Sequence, residues 1–564
     1  MIEFRDSLIK YLKDEKELCE AEIALHKTLS REEKVIEGLL ICDTVAESQG
    51  STHECLFRFS ENNTKVRLGD MIKLRSLSTN TVIESLMVLE VSTDHVVIET
   101  KDYSIANDST WDIELSEVSM YDTYISVLES IDESAPGAYF LQQLAGIEEP
   151  TDESLFGADT KAIEMTNTYA DILNEHQMDA LYYAIKQPSL RLIQGPPGTG
   201  KTHVLACIAN IMSTVGMEVA IVAKTHQAVN NALNAIKKRK PSLNVSKIGQ
   251  SIRSEGLNDS VLTFEKYNEY LSWRKAEKRR PTADVVGMTL QASAVNMCLR
   301  NSGFKPQVVL VDEASQIPLA EAAIVGACGA GTIIFIGDDR QMPPIYIEQL
   351  EKNKLSISIF QYLADMYPAI KDVLNTTYRM NEEITSLVSK SFYEPYGIKL
   401  ISADNVKDRK LSIDASGCGD ERIAEILGNG ESVDIINVSK EPHQEENVEE
   451  ALFATQCAAV AMQHGMSPSD IAIVTPFRKQ VNAIRNAFKY LRWSEEDRPL
   501  VDTVERLQGQ DVDMIILSFA VSDSDYYQQI KGFLLNRNRL NVMISRAKTK
   551  VVILKSNIID LNLN

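Results

Sequence analysis

One stretch of the chain has residue types and spacing suited to holding phosphate groups. Residues Gly195–Thr202 spell GPPGTGKT, which matches the pattern GxxxxGK[ST]. The stretch follows an apolar, strand-like segment, Arg191–Gln194, and precedes a helical segment, His203–Ser213. Glycines let backbone N–H groups curl around phosphate, and a helix N-terminus adds positive potential. We therefore expect a phosphate-binding loop built from Gly195, Pro196, Pro197, Gly198, Thr199, Gly200, Lys201 and Thr202.

Within that loop, two side chains have distinct predicted tasks, and an acidic pair downstream complements them. Lys201 is predicted to reach the β- and γ-phosphates, and Thr202 to bind Mg²⁺. The apolar run Val308–Val311 ends in Asp312 and Glu313. Asp312 is predicted to hold Mg²⁺ through water, and Glu313 to orient and polarise the attacking water. Together these residues predict an Mg²⁺-dependent nucleoside triphosphatase, although the loop alone does not distinguish AAA+ ATPases from helicases.

Further motifs follow in a fixed order and narrow the choice. They are Leu173–Gln177, Gly337–Pro344, Thr377–Asn381, Val501–Asp511 and Asn538–Lys548. In this order the segments resemble those of superfamily 1 helicases, and in particular the SF1B up-frameshift-type branch. That branch includes the nonsense-mediated decay helicase, senataxin and the immunoglobulin mu-binding helicase. The resemblance covers about residues 170–555 by motif and implies ATP-driven 5′→3′ movement on single-stranded nucleic acid.

The resemblance also implies roles for individual residues around the nucleotide. Gln177, beside Asn174, should read the adenine edge, and Tyr378 should stack on the base. Gln341 should sense the γ-phosphate. Arg379 and Arg546 should be arginine fingers, supplied by a second domain across the cleft. Asp511 stands where the family usually has a glutamate that contacts the ribose, and its side chain is one methylene shorter. Core packing for Tyr378 and a surface ion pair for Arg379 are the structural alternatives.

A translocase must also grip a strand, and the motif positions suggest which residues do so. Small hydroxyl groups at strand ends can bond phosphate oxygens without reading sequence, and aromatic rings can stack on bases. The candidates are Thr225, His226, Gln227, Thr289, Thr475, Pro476, Phe477 and Thr503. Two basic clusters, Lys237–Lys240 and Arg274–Arg280, are predicted either to lie beside the strand or to form a solvated helix surface.

Charge is distributed unevenly along the chain. The 564 residues include 58 Lys+Arg and 80 Asp+Glu, giving a net charge of −22. Residues 1–160 hold 13 basic and 33 acidic residues, whereas the remainder holds 45 and 47. A polyanion is therefore excluded as a general partner of the N-terminal region but not of the rest. The acidic stretch Asp102–Thr160 is predicted to repel nucleic acid or to face a basic protein partner.

The alternation of apolar, strand-like runs with helical segments predicts an α/β architecture. Two RecA-like parallel-sheet motor domains are expected, preceded by a helical stalk and a small β-barrel accessory domain. The predicted boundaries are 1–37 for the stalk helix, 38–105 for the barrel, 106–168 for a second stalk helix and linker, 169–370 for motor domain 1 and 371–564 for motor domain 2. Five barrel strands are predicted: Gly38–Cys42, Cys55–Phe59, Val66–Arg75, Ser85–Val91 and Val96–Thr100.

Several classes of protein are disfavoured, and several questions stay open. The eight cysteines form no CxxC pair, and no run is apolar and long enough to span a bilayer. We therefore expect a soluble, cytoplasmic, monomeric protein that uses ATP and Mg²⁺. The alternatives are a nucleic-acid-stimulated ATPase that remodels complexes with little unwinding, an AAA+-type ATPase acting on proteins, and a helicase–nuclease fusion. The residues do not distinguish DNA from RNA.

Overall fold

A computed structural model describes most of the chain. It covers residues 1–563 except 49–52, 61–63, 93, 101–102, 117–118, 154–158, 277–282, 296–303, 439–440, 495–496 and 505–510. Among the described residues, no helix is both long and apolar enough to cross a membrane. Within the same part of the chain, no group of three or more His, Cys, Asp or Glu side chains is arranged to hold a metal ion.

The N-terminal segment is helical but broken. Helices α1 (Ile2–Thr28) and α2 (Arg31–Ile36) replace the predicted single helix over residues 1–37. The break arises because Ser30 begins α2 with a reciprocal capping box to Glu33. Tyr11 is buried, whereas Leu25 is 59% exposed, so only the first half of α1 packs against the rest of the protein.

The next region is a closed six-stranded barrel, in the order β1-β2-β5-β4-β3-β6. Its strands are β1 (Leu40–Ser48), β2 (Glu54–Arg58), β3 (Met71–Ser76), β4 (Val82–Val91), β5 (His95–Glu99) and β6 (Thr110–Leu115). The sixth strand corrects the prediction, which ends the barrel at residue 105 and continues with helix. Because β6 pairs with both β1 and β3, it is the strand that closes the barrel.

Three short helices stand where one second stalk helix is predicted. They are α3 (Tyr121–Glu129), α4 (Ala138–Leu144) and α5 (Thr160–Thr166). Lys16 on α1 pairs with Asp122 on α3 at 2.7 Å, so the two stalk helices are linked. The Tyr11 hydroxyl lies 2.8 Å from the Ser356 hydroxyl oxygen, which ties α1 to the first motor domain as well.

The first motor domain is an eight-stranded sheet in the order β10-β9-β11-β8-β12-β13-β7-β14. Its strands are β7 (Leu190–Gln194), β8 (Val219–Ala223), β9 (Val245–Ile248), β10 (Leu262–Phe264), β11 (Val285–Thr289), β12 (Val308–Asp312), β13 (Thr332–Gly337) and β14 (Lys371–Val373). Its helices are α6 (Glu175–Ile185), α7 (Lys201–Thr214), α8 (His226–Arg239), α9 (Tyr267–Ala276), α10 (Leu290–Ser293), α11 (Leu319–Ala322) and α12 (Ile359–Met366).

The boundary between the motor domains lies slightly later than predicted. Strand β14 belongs to the first sheet, because it pairs in parallel with β7. Arg191 on β7 also binds Asp372 on β14 through two hydrogen bonds of 2.7 Å. Such a bidentate pair fixes orientation as well as contact. The edge strand next to the phosphate-binding loop is therefore anchored by both backbone and side chain.

The second motor domain contains a five-stranded parallel sheet in the order β17-β21-β20-β18-β19, beside a two-stranded β15–β16 pair. Its strands are β15 (Thr376–Thr377), β16 (Ile401–Ser402), β17 (Val433–Asn437), β18 (Ile471–Thr475), β19 (Leu500–Thr503), β20 (Val512–Ser518) and β21 (Ala547–Lys555). Its helices are α13 (Glu382–Val388), α14 (Glu421–Gly428), α15 (Val448–Gln463), α16 (Arg478–Tyr490), α17 (Ser524–Leu534) and α18 (Arg537–Ile544). A π-helical turn, Ser389–Tyr393, directly follows α13. This arrangement confirms the predicted fold class.

Candidate functional site

The phosphate-binding loop connects the end of β7 to the start of α7. Gly198 and Gly200 have φ angles of 73° and 83°, a region that glycine enters without steric cost. A Cβ atom on Gly195 would lie 2.1 Å from Cγ of Lys201, so the lysine packs directly over that backbone. The Lys201 ammonium group donates to the Gly195 carbonyl oxygen. The loop therefore has the shape of a phosphate cradle, and its lysine is folded into it.

The N-terminus of α6 is held against this loop by Gln177. Asn174 and Gln177 form a reciprocal capping box, and the Gln177 amide nitrogen donates to the Thr199 carbonyl oxygen at 2.9 Å. Both ends of this amide are thus bonded to backbone, and the side chain is buried. The predicted adenine contact would require exchange of these bonds. In this arrangement Gln177 supports the loop.

Tyr378 lies beside the same loop from the other side of the cleft. Its backbone N–H donates to the Gly198 carbonyl oxygen at 2.8 Å, and its hydroxyl accepts from the Asn174 amide at 2.9 Å. The ring is 39% exposed, which leaves a surface available for stacking on a base. The core-packing alternative does not fit this exposure.

The acidic pair lies at the end of β12 facing the loop. Asp312 is buried, and burial together with the neighbouring Glu313 raises the pKa of its carboxyl group. A bound divalent cation would supply the positive charge that stabilises such a buried carboxylate in its ionised form. Glu313 has a φ of 51°, in the left-handed region that non-glycine residues rarely adopt. Strain of this kind is frequent at functional sites.

Two arginines from the second motor domain share one carboxylate. Asp511 accepts from Arg379 at 2.6 Å and lies 3.7 Å from the Arg546 guanidinium. Arg379 also donates to the Ser545 carbonyl oxygen at 2.9 Å. Burial and the nearby Arg379 lower the pKa of Arg546 to about 10. Here Asp511 acts as the counter-ion of both predicted fingers, which leaves one excess positive charge beside the cleft.

A polar network joins the two motor domains next to Gln341. The Gln341 amide donates to Asp338 at 2.7 Å, and the Tyr393 hydroxyl donates to the same carboxylate oxygen at 2.6 Å. Asn541 donates to the Tyr393 hydroxyl at 2.8 Å and to the Arg340 carbonyl oxygen at 2.7 Å. Tyr393 is missed by the sequence analysis because no motif contains it. Asn541 falls inside a quoted motif, which is the only signal for its role.

On the first motor domain, the residues predicted to contact the nucleic-acid strand lie at or just after the ends of β8 and β11. Thr225 and Thr289 each cap the helix that follows, accepting a backbone N–H at 3.2 Å. A hydroxyl that accepts in this way keeps its own O–H free to donate to a phosphate oxygen. Thr225 and Gln227 line a cavity of about 980 Å³ between the barrel and the motor domains, and His226 lines a neighbouring one of about 730 Å³.

On the second motor domain, the residues predicted to contact the nucleotide and those predicted to contact the nucleic-acid strand lie at opposite ends of the parallel β-strands. Thr475 and Thr503 are paired at the carboxyl ends of β18 and β19. Asp511 and Arg546 precede the amino ends of β20 and β21, where Val512 pairs with Ala547. The two predicted groups of contacts are therefore separated by the length of the β-strands.

The residues of this domain that are predicted to contact nucleic acid differ in how exposed they are. Thr475 is fully buried, and its hydroxyl accepts the backbone N–H of Phe477 at 3.4 Å, so it shapes the turn and does not face the strand. Pro476 and Phe477 are half-buried. The Phe477 ring lies 6.0 Å from that of Phe533, which is 44% exposed. Residues 505–510, part of one quoted motif, lie outside the described residues.

The two basic clusters are described by the structure to different extents. Helix α8 begins with His226 and carries Lys237–Lys240 about 17–21 Å further along its axis. The buried Lys237 ammonium donates to the carbonyl oxygens of Pro241 and Leu243 at 3.0 and 2.8 Å. In the second cluster, Arg274 binds Glu218 at the amino end of β8, and residues 278–280 lie outside the described residues. Contact of the first cluster with the strand therefore stays a prediction, and the structure gives Lys237 a role in holding backbone carbonyl groups.

Comparison with known proteins supports the class that the fold and site indicate. Two family profiles, each described as "AAA domain", match residues 172–352 and 355–557. The chain is 28% identical over 415 residues to the mouse (Mus musculus) "DNA replication ATP-dependent helicase/nuclease DNA2", covering 69% of this chain and 38% of that protein. The Schizosaccharomyces pombe protein of the same description is 28% identical over 405 residues, covering 68% of this chain and 28% of its own length.

A structural comparison gave distant matches. An Arterivirus nonstructural protein 10 (helicase) aligns with a TM-score of 0.39 and 12% identity, covering 90% of this chain and 77% of that one. The chain spans well under half the length of the curated relatives quoted above. In its fold class, its phosphate-binding loop and its sequence, the chain is thus similar to ATP-dependent helicases.

Proposed function

We propose that the protein is an ATP- and Mg²⁺-dependent superfamily 1 helicase that translocates on single-stranded nucleic acid. The observation that carries this proposal is the pair of arginines, Arg379 and Arg546, held at the cleft by one shared carboxylate. Fingers of this kind stabilise the charge that develops on a transferring phosphoryl group. Because they belong to the second domain, hydrolysis depends on domain closure, which converts turnover into movement.

The residues around the loop have separable tasks in this proposal. Lys201 holds the β- and γ-phosphates, while Thr202 and Asp312 hold Mg²⁺, which neutralises phosphate charge when bound. Glu313 orients and polarises the attacking water. Gln341 is hydrogen-bonded to Asp338 and lies in the network that joins the domains, so it can report the γ-phosphate to the second domain.

We propose DNA as the strand and 5′→3′ as the direction. The first rests on the name of the similar mouse protein, which refers to DNA replication. The second rests on the resemblance to the up-frameshift-type branch. Nuclease activity is not part of the proposal, because the chain spans only 38% of the mouse protein.

The decisive experiment compares ATP hydrolysis with strand separation. ATPase activity is measured with single-stranded DNA and RNA of equal length across a salt series, beside an unwinding assay on duplexes with 5′ or 3′ overhangs. Stimulation by DNA together with unwinding from the 5′ overhang is expected. Stimulation without unwinding would favour the complex-remodelling ATPase, and no stimulation by either strand would contradict the proposal.

We further propose that residues 1–160 form an accessory region that limits where the strand runs. Their net charge of −20 makes them a poor general clamp for a polyanion, although Arg67 of the barrel lines the cavity of about 980 Å³. The acidic surface around residues 102–160 would face a basic protein partner. A test deletion must extend from residue 39 to residue 116, because a cut at residue 105 would leave β6 unpaired. Basal ATPase activity should persist and strand affinity should change, whereas loss of basal hydrolysis in a folded variant would make the region part of the motor.

A further inference from the structure

The space between the barrel and the first motor domain is divided in two by an ion pair. The cavity of about 980 Å³ is lined by Arg67 and Thr225, and the cavity of about 730 Å³ by His226 and Thr289. Asp70 of the barrel pairs with Arg253 of the motor domain at 2.9 Å; both line the smaller cavity, and the nearby Leu68 and Ile252 line the larger one. A strand that contacts both Thr225 and Thr289 must therefore pass this ion pair.

The barrel side of the ion pair is rigid. The second carboxylate oxygen of Asp70 accepts the backbone N–H of Arg67 at 2.9 Å, which closes a tight turn. Gly69 in that turn has a φ of 77°, and a Cβ atom on it would lie 2.4 Å from the Arg253 Nε atom. The turn thus presses its backbone against the guanidinium group and presents one carboxylate oxygen to it.

The motor side of the ion pair holds a second cation, Lys247, close to Arg253, while Glu265 also lines the smaller cavity. The Arg253 Nε–H is buried without a hydrogen-bond partner among the described residues. The Arg253 carbonyl oxygen accepts from the buried Lys247 ammonium at 2.7 Å, and Lys247 has no ion pair with a carboxylate within the described part of the chain. Burial and the nearby Arg253 lower the pKa of Lys247 to about 8, as expected for cations crowded together.

We infer that Arg253 binds a backbone phosphate of the strand, and that Asp70 occupies this guanidinium in the strand-free protein. A phosphate offers two oxygens to one guanidinium, so it can satisfy both the nitrogen that Asp70 now holds and the unpartnered Nε–H. The barrel and the strand therefore compete for the same side chain. The inference rests on the proposed strand binding and adds to it a contact that restrains entry of the strand.

Binding of a fluorescently labelled oligothymidylate to the full chain, without nucleotide and across a salt series, tests the inference. Arg253→Gln should weaken binding and reduce the slope of log affinity against log salt by about 0.7, the value for one single-strand phosphate contact. Asp70→Asn should tighten binding about two- to fivefold, which is the range expected when a partly exposed ion pair no longer has to be broken. In the double variant, Asp70→Asn should have little further effect.

The control and the contradicting outcomes are well defined. Glu84→Gln removes the same charge from the barrel at an exposed residue paired with Lys73, so it reports the general effect of charge. An Asp70→Asn effect no larger than that of Glu84→Gln, or weaker binding by Asp70→Asn, would overturn the competition. An unchanged salt slope in Arg253→Gln would overturn the phosphate contact. If the wild-type protein binds no strand at all, the proposed function fails as well, so the two failures are distinguishable. Thermal unfolding confirms that each variant is folded.

Discussion

The candidate nucleotide site and the candidate nucleic-acid surface of this protein differ in how their residues are distributed along the sequence. At the nucleotide side, short motifs converge on one cleft: the loop at Gly195–Thr202, the acidic pair after β12, and the arginines that share Asp511. At the strand side, the wall is assembled from a barrel turn, strand ends and helix caps on three domains. Lys237–Lys240, in the densest basic cluster, do not line that wall, and Lys237 lies about 9 Å along α8 from the last lining residue of that helix, Asn231.

The difference teaches that chemistry demanding exact atoms leaves a short sequence signature, whereas a surface that grips any strand does not. A phosphate cradle needs glycines, a lysine and a helix N-terminus in one order. Non-specific strand binding needs only sufficient positive potential and stacking surface along a path. Charge density along the chain is consequently a poor guide to that path.

The largest effect is expected at the loop. Lys201→Ala should abolish hydrolysis and weaken ATP binding, because it removes the charge that faces the phosphates. Glu313→Gln should keep ATP binding and lower turnover by about 10²–10⁴-fold, the usual contribution of a general base. Steady-state hydrolysis and equilibrium nucleotide binding check both variants, with the exposed Lys354→Ala as the control. Normal turnover in Glu313→Gln would remove Glu313 from its assigned role.

Next in size is the loss of a finger. Arg546→Ala should lower kcat by about 10³–10⁵-fold with little change in ATP affinity, since its contact strengthens in the transition state. Lys548→Ala changes a charge in the same segment and is the matched control; its side chain lies 3.5 Å from Asp513. If nucleotide binding and kcat fell by equal factors, Arg546 would be a ground-state binding residue.

On the strand side, Phe477→Ala should weaken single-strand binding by about 1–3 kcal/mol, the cost of one lost base–aromatic stack. Strand-free ATP hydrolysis should be little affected, because Phe477 lies at the sheet edge opposite to Arg546. Tyr490→Ala serves as the control, since Tyr490 is an aromatic residue on α16 that is 82% exposed. Equal losses in the two variants would mean that no specific platform exists at Phe477.

The smallest effects on binding of the nucleic-acid strand are expected at the basic cluster Lys237–Lys240. Lys238→Glu, at an exposed residue, should leave strand affinity and its salt slope unchanged. Lys237→Ala should instead lower the free energy of unfolding by about 1–3 kcal/mol, because it leaves two carbonyl groups without their buried donor. Denaturant unfolding and strand titration separate these outcomes. A reduced slope in Lys238→Glu would restore the cluster to the strand path.

Much of the fold could be predicted from the sequence because buried parallel strands are continuous apolar runs. The strands of the two motor domains were visible in this way, whereas five strands of the antiparallel barrel were visible as short β-type runs between polar turns. Strand β6 was not, because Trp111, Asp112 and Ile113 alternate too briefly to be separated from the helical segment that follows. The break in the stalk at Ser30 depends on one side-chain hydrogen bond, and an apolar repeat does not register it.

The residues of the candidate site likewise differ in whether the local sequence could predict them. The residues of the phosphate-binding loop and the acidic pair are specified by local sequence, and the structure places them together, although their roles stay predictions. The shared use of Asp511 could not be predicted, because it depends on the approach of residues 132 positions apart in the chain. Nor could the pairing of Asp70 with Arg253, since a turn in the barrel and a turn in the motor domain have no common pattern.

The π-helical turn Ser389–Tyr393 makes chain length itself a functional property. This wider turn delivers Tyr393 to Asp338 and Asn541. Successive residues of an ordinary helix are separated by about 100° around its axis, so deleting one residue here would rotate Tyr393 away from both partners. Substitutions at every position would leave that register intact. An insertion or deletion in this turn would therefore disturb the junction between the motor domains even if Tyr393 itself were kept.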